Sequence, residues 1–213
     1  MVNFYIKGMS TTNEEQEIII NSFKEQGIDV IPVIDDYANY SIKTIEKSIE
    51  KFIEQNNQNN EKVNLICHSM GCNFGYLIKS RENININKLV LVSPEFISTT
   101  KKEKEEIKKR YNGIDYNTKS NNAKLNLHNI ILYYKSLRKV MEPSIESVSY
   151  NMDTLIVYSK GDIFVSQNWI NSGYAFLTDK VEVNSNSHNP LLTNKEVYEE
   201  ITEYIKKPLT LVK

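Results

Sequence analysis

Short runs of Val, Ile and Leu alternate with longer segments of helical spacing along most of the chain. The apolar runs have strand length and little polar alternation, which is typical of strands buried on both faces of a parallel sheet. The intervening segments repeat apolar residues every three or four positions, as amphipathic helices do. Because parallel strands need crossover connections between them, this alternation predicts an α/β fold with helices flanking a mostly parallel sheet.

The same pattern locates the individual elements. About six strands are predicted, over residues 2–7, 28–34, 63–67, 88–92, 154–159 and 180–184. Helices are expected before Gly27, on the face of Ile42, Ile45, Ile49, Phe52 and Ile53, from Gly71 to Ser80, around Trp169 and near the C-terminus. Two helix starts are predicted from capping-box matches: Thr11 or Thr12 with Glu14 or Glu15, and Thr193 with Glu196.

The composition excludes several classes of protein. A length of 213 residues suits a single domain over 1–213, and 26 basic against 27 acidic residues leave a formal net charge of −1, with no general attraction to nucleic acid. No apolar run approaches the roughly 18–20 residues that span a bilayer, and the N-terminus lacks the features of a secretory signal. Cys67 and Cys72 suit neither a zinc ribbon nor a disulfide framework. We therefore expect a cytoplasmic protein without membrane span or nucleic-acid partner.

Residues 94–150 depart from the alternating pattern. Pro94 ends the fourth strand, residues 101–110 are almost all charged, and residues 125–141 are apolar enough for a partly buried helix. We predict a helical lid insertion over 94–150. The charged segment predicts either a solvated helix or a docking face for an anionic substrate.

Cys67-His68-Ser69-Met70-Gly71 stands between the third predicted strand and a helix. A strand, a small residue, Ser, Gly and a helix in this order are typical of a nucleophile elbow, whose strained turn tolerates only small neighbours. The Ser69 hydroxyl would project from the carboxyl edge of the sheet. The amide groups at the start of the following helix would favour an oxyanion nearby.

A nucleophilic serine needs a neutral imidazole as its base, and the chain has three histidines. His68 adjoins Ser69, so its side chain is expected to point elsewhere and pack against neighbouring loops. His128 falls in the predicted lid. His188 lies in a polar loop directly after the last predicted strand, at the same edge of the sheet as Ser69. These positions predict His188 as the base.

Asp162 follows Gly161 at the end of the fifth predicted strand, where it could orient the base or cap a turn. Ser69, Asp162 and His188 occur in this order along the chain, each after a different predicted parallel strand. This arrangement favours a catalytic triad over an isolated turn residue.

On these residues the chain resembles a small serine hydrolase of the α/β-hydrolase superfamily, over nearly its whole length. The matching segments are Ile6-Lys7-Gly8-Met9-Ser10 as the oxyanion loop, Cys67 to Cys72 as the elbow, Gly161-Asp162-x-x-Val165 as the acid turn and Ser187-His188 as the base loop. The resemblance implies a minimal α/β-hydrolase fold with oxyanion amides from Met9 and Met70. It implies no cofactor and no metal.

The chain departs from the family pattern in three places. Lys7 replaces the usual His before Gly8, Cys67 stands where Gly is commonest in the elbow, and the first two strands of the family are missing. Some superfamily members carry the triad acid one strand earlier, which makes Glu95 an alternative to Asp162. Asp35 and Asp36 are weaker candidates because they follow the second strand.

The resemblance implies hydrolysis of a carboxylic ester or thioester of a small or medium acyl substrate through an acyl-enzyme. Two alternatives remain open on the sequence. One is a binding protein that keeps the fold without turnover, and the other is an acyltransferase or peptidase with the same triad.

Overall fold

The computed structural model describes residues 1–9, 11–33, 42–80, 84–94, 153–162, 164–165 and 179–208. Within them, six strands form one sheet: β1 (Val2–Ile6), β2 (Val30–Pro32), β3 (Val63–His68), β4 (Ile86–Val92), β5 (Thr154–Ser159) and β6 (Asp179–Val183). Every neighbouring pair is parallel, and the strand order is β2-β1-β3-β4-β5-β6. The predicted mostly parallel sheet of about six strands is confirmed.

The described residues contain four α-helices: α1 (Asn13–Glu25), α2 (Ile42–Asn56), α3 (Met70–Ser80) and α4 (Glu196–Lys206). Successive strand residues alternate between two apolar clusters on opposite faces of the sheet. One cluster joins Phe4 and Leu65 to the inner faces of α2 and α3. The other joins Tyr5 and Ile66 to α1 and α4. The result is a three-layer α/β/α domain.

Pro32 lies within β2, although proline cannot donate to a sheet ladder. The position is tolerated because β2 is an edge strand that pairs only with β1. Pro32 pairs in register with Tyr5, and the next residue, Val33, donates its N–H to the Tyr5 carbonyl at 3.0 Å.

The two predicted capping boxes have different outcomes. Thr12 caps α1: its hydroxyl accepts from the Glu15 N–H at 3.1 Å, and the Glu15 carboxylate accepts from the Thr12 N–H at 2.9 Å. The prediction of a capping box at Thr193 was wrong. Pro190 begins a 3-10 turn that ends at Thr193, so α4 starts at Glu196 with its N–H bonded to the Asn194 side chain at 3.0 Å.

The strand order explains where the loops after β1 and β3 lie. The chain leaves β1 toward one edge of the sheet and leaves β3 toward the other. Loops that follow such neighbours diverge and leave a crevice at the carboxyl edge of the sheet, where α/β proteins bind ligands. Ser69 directly follows β3, one of the two strands at this reversal. Among the described residues, no helix is both long and apolar enough to cross a membrane.

Candidate active site

Ser69 occupies the sharp turn between β3 and α3. Its backbone has a φ of 52°, in the left-handed region that a residue with a side chain rarely adopts. A Cβ at Gly71 would collide with the backbone carbonyl of Ile6 and come within 2.7 Å of the Lys7 carbonyl. Gly71 therefore lets the elbow pack directly against the end of β1, and the prediction that this turn needs a small residue after Ser69 is consistent with that contact. The turn is also tied to β4, because the Ser69 N–H donates to the Val92 carbonyl at 2.9 Å.

Ser69, His188 and Asp162 form one chain of hydrogen bonds. The His188 Nδ1 lies 2.8 Å from the Asp162 Oδ2, and the His188 Nε2 lies 2.7 Å from the Ser69 Oγ. A carboxylate can only accept, so Nδ1 carries the proton in a neutral ring and the Nε2 lone pair accepts from the serine hydroxyl. The Asp162 side chain is fully buried, whereas His188 is 22% exposed. The three residues predicted to act together thus lie within hydrogen-bonding distance.

The second oxygen of the Asp162 carboxylate is also held in place. Its Oδ1 accepts from the Phe164 N–H at 2.8 Å, which is an Asx-type turn. The turn approaches the loop of His188 closely: a Cβ at Gly161 would collide with the Asn186 side chain, and the Gly161 N–H donates to the Ser185 carbonyl at 3.0 Å. Glycine at 161 accommodates this close approach.

The base loop, residues 184–189, is fastened from two sides. From β5, the buried Ser159 donates its hydroxyl to the Ser187 carbonyl at 2.7 Å. From the end of β3, the His68 Nε2 lies 3.0 Å from the His188 carbonyl. The Phe164 ring adds a tilted contact to the His188 ring, with 4.9 Å between centroids.

His68 is buried, and its ring packs against neighbouring loops through Thr11 and the His188 carbonyl, as expected from its place beside Ser69. Desolvation, followed by the neighbouring His188, lowers the pKa of His68 from 6.5 to about 3. The ring is therefore neutral at physiological pH. The sequence reasoning missed its bond to the base loop, because nothing in the local motif indicates a contact with a residue 120 positions away.

The oxyanion loop lies against the elbow. A Cβ at Gly8 would come within 3.0 Å of the Ser69 Cβ, and a hydrogen bond of 3.2 Å from the Thr11 N–H to the Gly8 carbonyl closes a turn around Met9. Met70 is the first residue of α3, so its N–H lies outside the intrahelical bonding pattern. Met70 follows Ser69 directly along the chain, and Met9 follows Gly8, which lies against Ser69. Their role as oxyanion donors stays a prediction.

Lys7, which replaces the usual family histidine, is 3% exposed. Its Nζ donates to the Asn13 Oδ1 at 3.1 Å, at the beginning of α1. The long side chain therefore joins the oxyanion loop to the helix that follows it.

Several predictions fall outside the described residues: Glu95, Asp35, Asp36, His128, the helix around Trp169 and the lid, of whose residues 94–150 only Pro94 is described. Within the described part of the chain, no group of three His, Cys, Asp or Glu side chains is arranged to hold a metal ion.

Comparison with known proteins supports the architecture. A monoacylglycerol lipase from Paleococcus ferrophilus is similar at a TM-score of 0.64, with 16% identity over 95% of this chain and 93% of the lipase. Two metagenome-derived lipolytic enzymes, LipS and LipT, are represented by a structure with a TM-score of 0.71, 10% identity and coverage of 97% and 93%. The thioesterase domain of the curacin biosynthetic pathway has a TM-score of 0.63, 13% identity and coverage of 95% and 90%. No family model and no curated protein matches the sequence.

These similarities extend over almost the full length of both partners in each pair. At identities of 10 to 16% they establish the fold alone. Together with the parallel sheet and the elbow after β3, they define the class of protein: the chain has an α/β-hydrolase fold, resembling that of lipases, esterases and thioesterases.

Proposed function

We propose that this protein is a serine hydrolase that cleaves a carboxylic ester or thioester of a small or medium acyl substrate. The observation that carries the proposal is the hydrogen-bonded chain from Ser69 through His188 to Asp162, with distances of 2.7 and 2.8 Å. The lipases and the thioesterase domain of similar fold support acyl esters as the substrate class.

In the proposed reaction, the His188 Nε2 takes the hydroxyl proton as the Ser69 Oγ attacks the acyl carbonyl carbon. The oxyanion that forms accepts hydrogen bonds from the Met70 and Met9 N–H groups. The imidazolium then protonates the departing alcohol or thiol, which leaves an acyl-enzyme on Ser69. A water molecule, deprotonated by His188, releases the acid and restores the serine.

A fluorophosphonate probe tests the nucleophile directly. We expect the wild type to be labelled and Ser69→Ala to remain unlabelled, because the probe bonds only to an activated serine oxygen. Ser48→Ala is the matched control: Ser48 is exposed on α2, its hydroxyl bonds only to the carbonyl of its own helix at Thr44, and labelling should be unchanged. An unlabelled wild type, or labelled Ser69→Ala, would contradict the proposal.

Steady-state kinetics then test the base and the substrate class. On a panel of p-nitrophenyl and CoA esters of increasing chain length, Ser69→Ala and His188→Ala should lower kcat by roughly 10³-fold or more. Since the base must be neutral, kcat/KM should rise with pH across the range in which a histidine loses its proton. A flat profile between pH 5 and 8 would argue against His188 as the base.

The identity of the acid is tested by comparing two carboxylates. Asp162→Asn should reduce kcat by about 10²-fold to 10⁴-fold, because an amide no longer holds the Nδ1–H tautomer of His188. Glu95→Gln should leave kcat within about twofold. The reverse result would transfer the role of the acid to Glu95.

A further inference from the structure

The side chain of His68, a residue of the elbow, bonds both to the base loop and to Thr11, which follows the oxyanion loop. His68 is the last residue of β3 and is 2% exposed. Its Nε2 lies 3.0 Å from the His188 carbonyl oxygen, and its Nδ1 lies 3.4 Å from the Thr11 Oγ1. A Cβ at Gly8 would come within 2.8 Å of the same Nδ1.

The partners of His68 determine where its single proton lies. A backbone carbonyl only accepts, so the proton is on Nε2 and is donated to the His188 carbonyl. Nδ1 then presents a lone pair, which accepts from the Thr11 hydroxyl. The buried ring stays neutral, so it adds no positive charge beside His188, whose ring centroid is 5.5 Å away. A second cation there would oppose the imidazolium that forms when His188 takes the serine proton.

The bond from His68 complements the bond from Ser159. The carbonyls of Ser187 and His188 are adjacent in the base loop, and one accepts from β5 while the other accepts from the end of β3. The Asp162 carboxylate bonds to the ring of His188 at Nδ1. These two donors therefore hold the backbone at Ser187 and His188, and the Gly161 N–H holds the same loop at Ser185.

We propose that His68 is a positioning residue: through its bonds to the His188 carbonyl and Thr11, it holds the base loop at the distance from Ser69 that proton transfer requires. This proposal rests on the proposed hydrolase function. This role requires an uncharged hydrogen-bond donor at the position of the histidine Nε2, which is three bonds from Cβ.

Three substitutions at His68 distinguish the effect of the hydrogen-bond donor from the effect of the ring's volume. His68→Gln places an amide N–H₂ three bonds from Cβ and retains the donor, whereas His68→Asn carries the same amide one bond short. His68→Phe retains the ring shape without a donor. We expect His68→Phe and His68→Asn to lower kcat about 10-fold to 100-fold with KM changed less than threefold, since a small displacement of a catalytic group has a cost of this order. His68→Gln should recover most of kcat.

A spectroscopic measurement detects the position of the base without turnover. In ¹H–¹⁵N NMR spectra, the His188 Nδ1–H bonded to Asp162 should give a downfield proton resonance in the wild type and in His68→Gln. That resonance should broaden or exchange faster in His68→Phe and His68→Asn, while thermal unfolding shows that each variant is folded.

The outcomes separate the two proposals. If the wild type is not labelled by the fluorophosphonate, the hydrolase function fails, and the NMR comparison still decides whether His68 holds the base loop. If the wild type is labelled but His68→Phe retains the wild-type kcat and the downfield resonance, the positioning role is overturned. It is also overturned if kcat falls as far in His68→Gln as in His68→Asn. If His68→Phe does not fold, the comparison of kcat between His68→Gln and His68→Asn tests the positioning role.

Discussion

Cys67 stands in the elbow where most α/β-hydrolases have glycine, and α3 makes room for its thiol. The thiol faces Gly75, where a Cβ would collide with the Cys67 Sγ and come within 3.2 Å of the Leu89 side chain. The sequence predicted that a small thiol is tolerated. It could not indicate Gly75 as the compensating residue, because the pairing depends on how the helix packs on the strand.

This pairing predicts a coupled effect on stability. Gly75→Ala should lower the free energy of unfolding by about 1–3 kcal/mol through overpacking, despite the better helix propensity of alanine. Combining it with Cys67→Ala, which removes the sulfur, should recover most of that loss. Chemical denaturation of both single variants and the double variant measures the coupling. Additive effects would mean that the two residues do not interfere.

The candidate site was largely predictable residue by residue, but its support was not. Ser69, Asp162 and His188 each follow a strand and occur in a recognisable order, so their proximity could be inferred from chain order. Ser159 and His68 hold the base loop through bonds to its backbone carbonyls. Such bonds have no sequence signature, because any residue in the loop supplies a carbonyl.

At the level of elements, the sequence located the strands well. All six observed strands begin and end within two residues of their predicted bounds, because buried apolar runs are bounded by turn residues. Helix starts were less certain. The same Thr-x-x-Glu pattern caps α1 at Thr12 but fails at Thr193, where the preceding Pro190 directs the chain into a 3-10 turn.

The two threonines therefore form a matched pair for mutation. Thr12→Ala should lower the free energy of unfolding by about 1 kcal/mol, since it removes the acceptor for the Glu15 N–H. Thr193→Ala should change stability by less than about 0.5 kcal/mol, because Thr193 is exposed and makes no capping bond to α4. Urea denaturation of both variants at one pH checks the difference. Equal losses would contradict the observed start of α4.

On the scale of the whole molecule, burial of His68 makes the free energy of unfolding depend on pH. The pKa of His68 falls from 6.5 to about 3 on folding because its ring is desolvated. Between these two values the unfolded chain binds a proton that the folded chain does not. Acidification through this window therefore favours unfolding, by at most about 1.4 kcal/mol per pH unit.

His68→Gln removes this titration while keeping the donor. We expect the difference in unfolding free energy between wild type and His68→Gln to be constant above about pH 7, where His68 is neutral in both the folded and the unfolded chain. Below about pH 6 the difference should shift in favour of the variant, with a slope approaching 1.4 kcal/mol per unit. Urea unfolding from pH 8 to pH 4 measures it, and parallel curves throughout would show that His68 titrates normally in the fold.

The architecture as a whole followed from the alternation of strands and helices, and the similar solved structures confirm the fold. The strand order is a property of tertiary packing: β1 lies between β2 and β3 because the chain reverses its direction of travel across the sheet. Periodicity along a sequence reports which face of an element is buried, but not which neighbour covers it.

The position of the base loop has a consequence for synthesis. Ser69 and Asp162 precede β6, whereas His188 follows it, and β6 is an edge strand that pairs only with β5. A chain emerging from the ribosome therefore presents Ser69 and Asp162 well before His188. If the proposed function holds, Ser69 gains the imidazole of His188 as its base only after β6 has docked on β5 and brought the loop that follows it to the elbow.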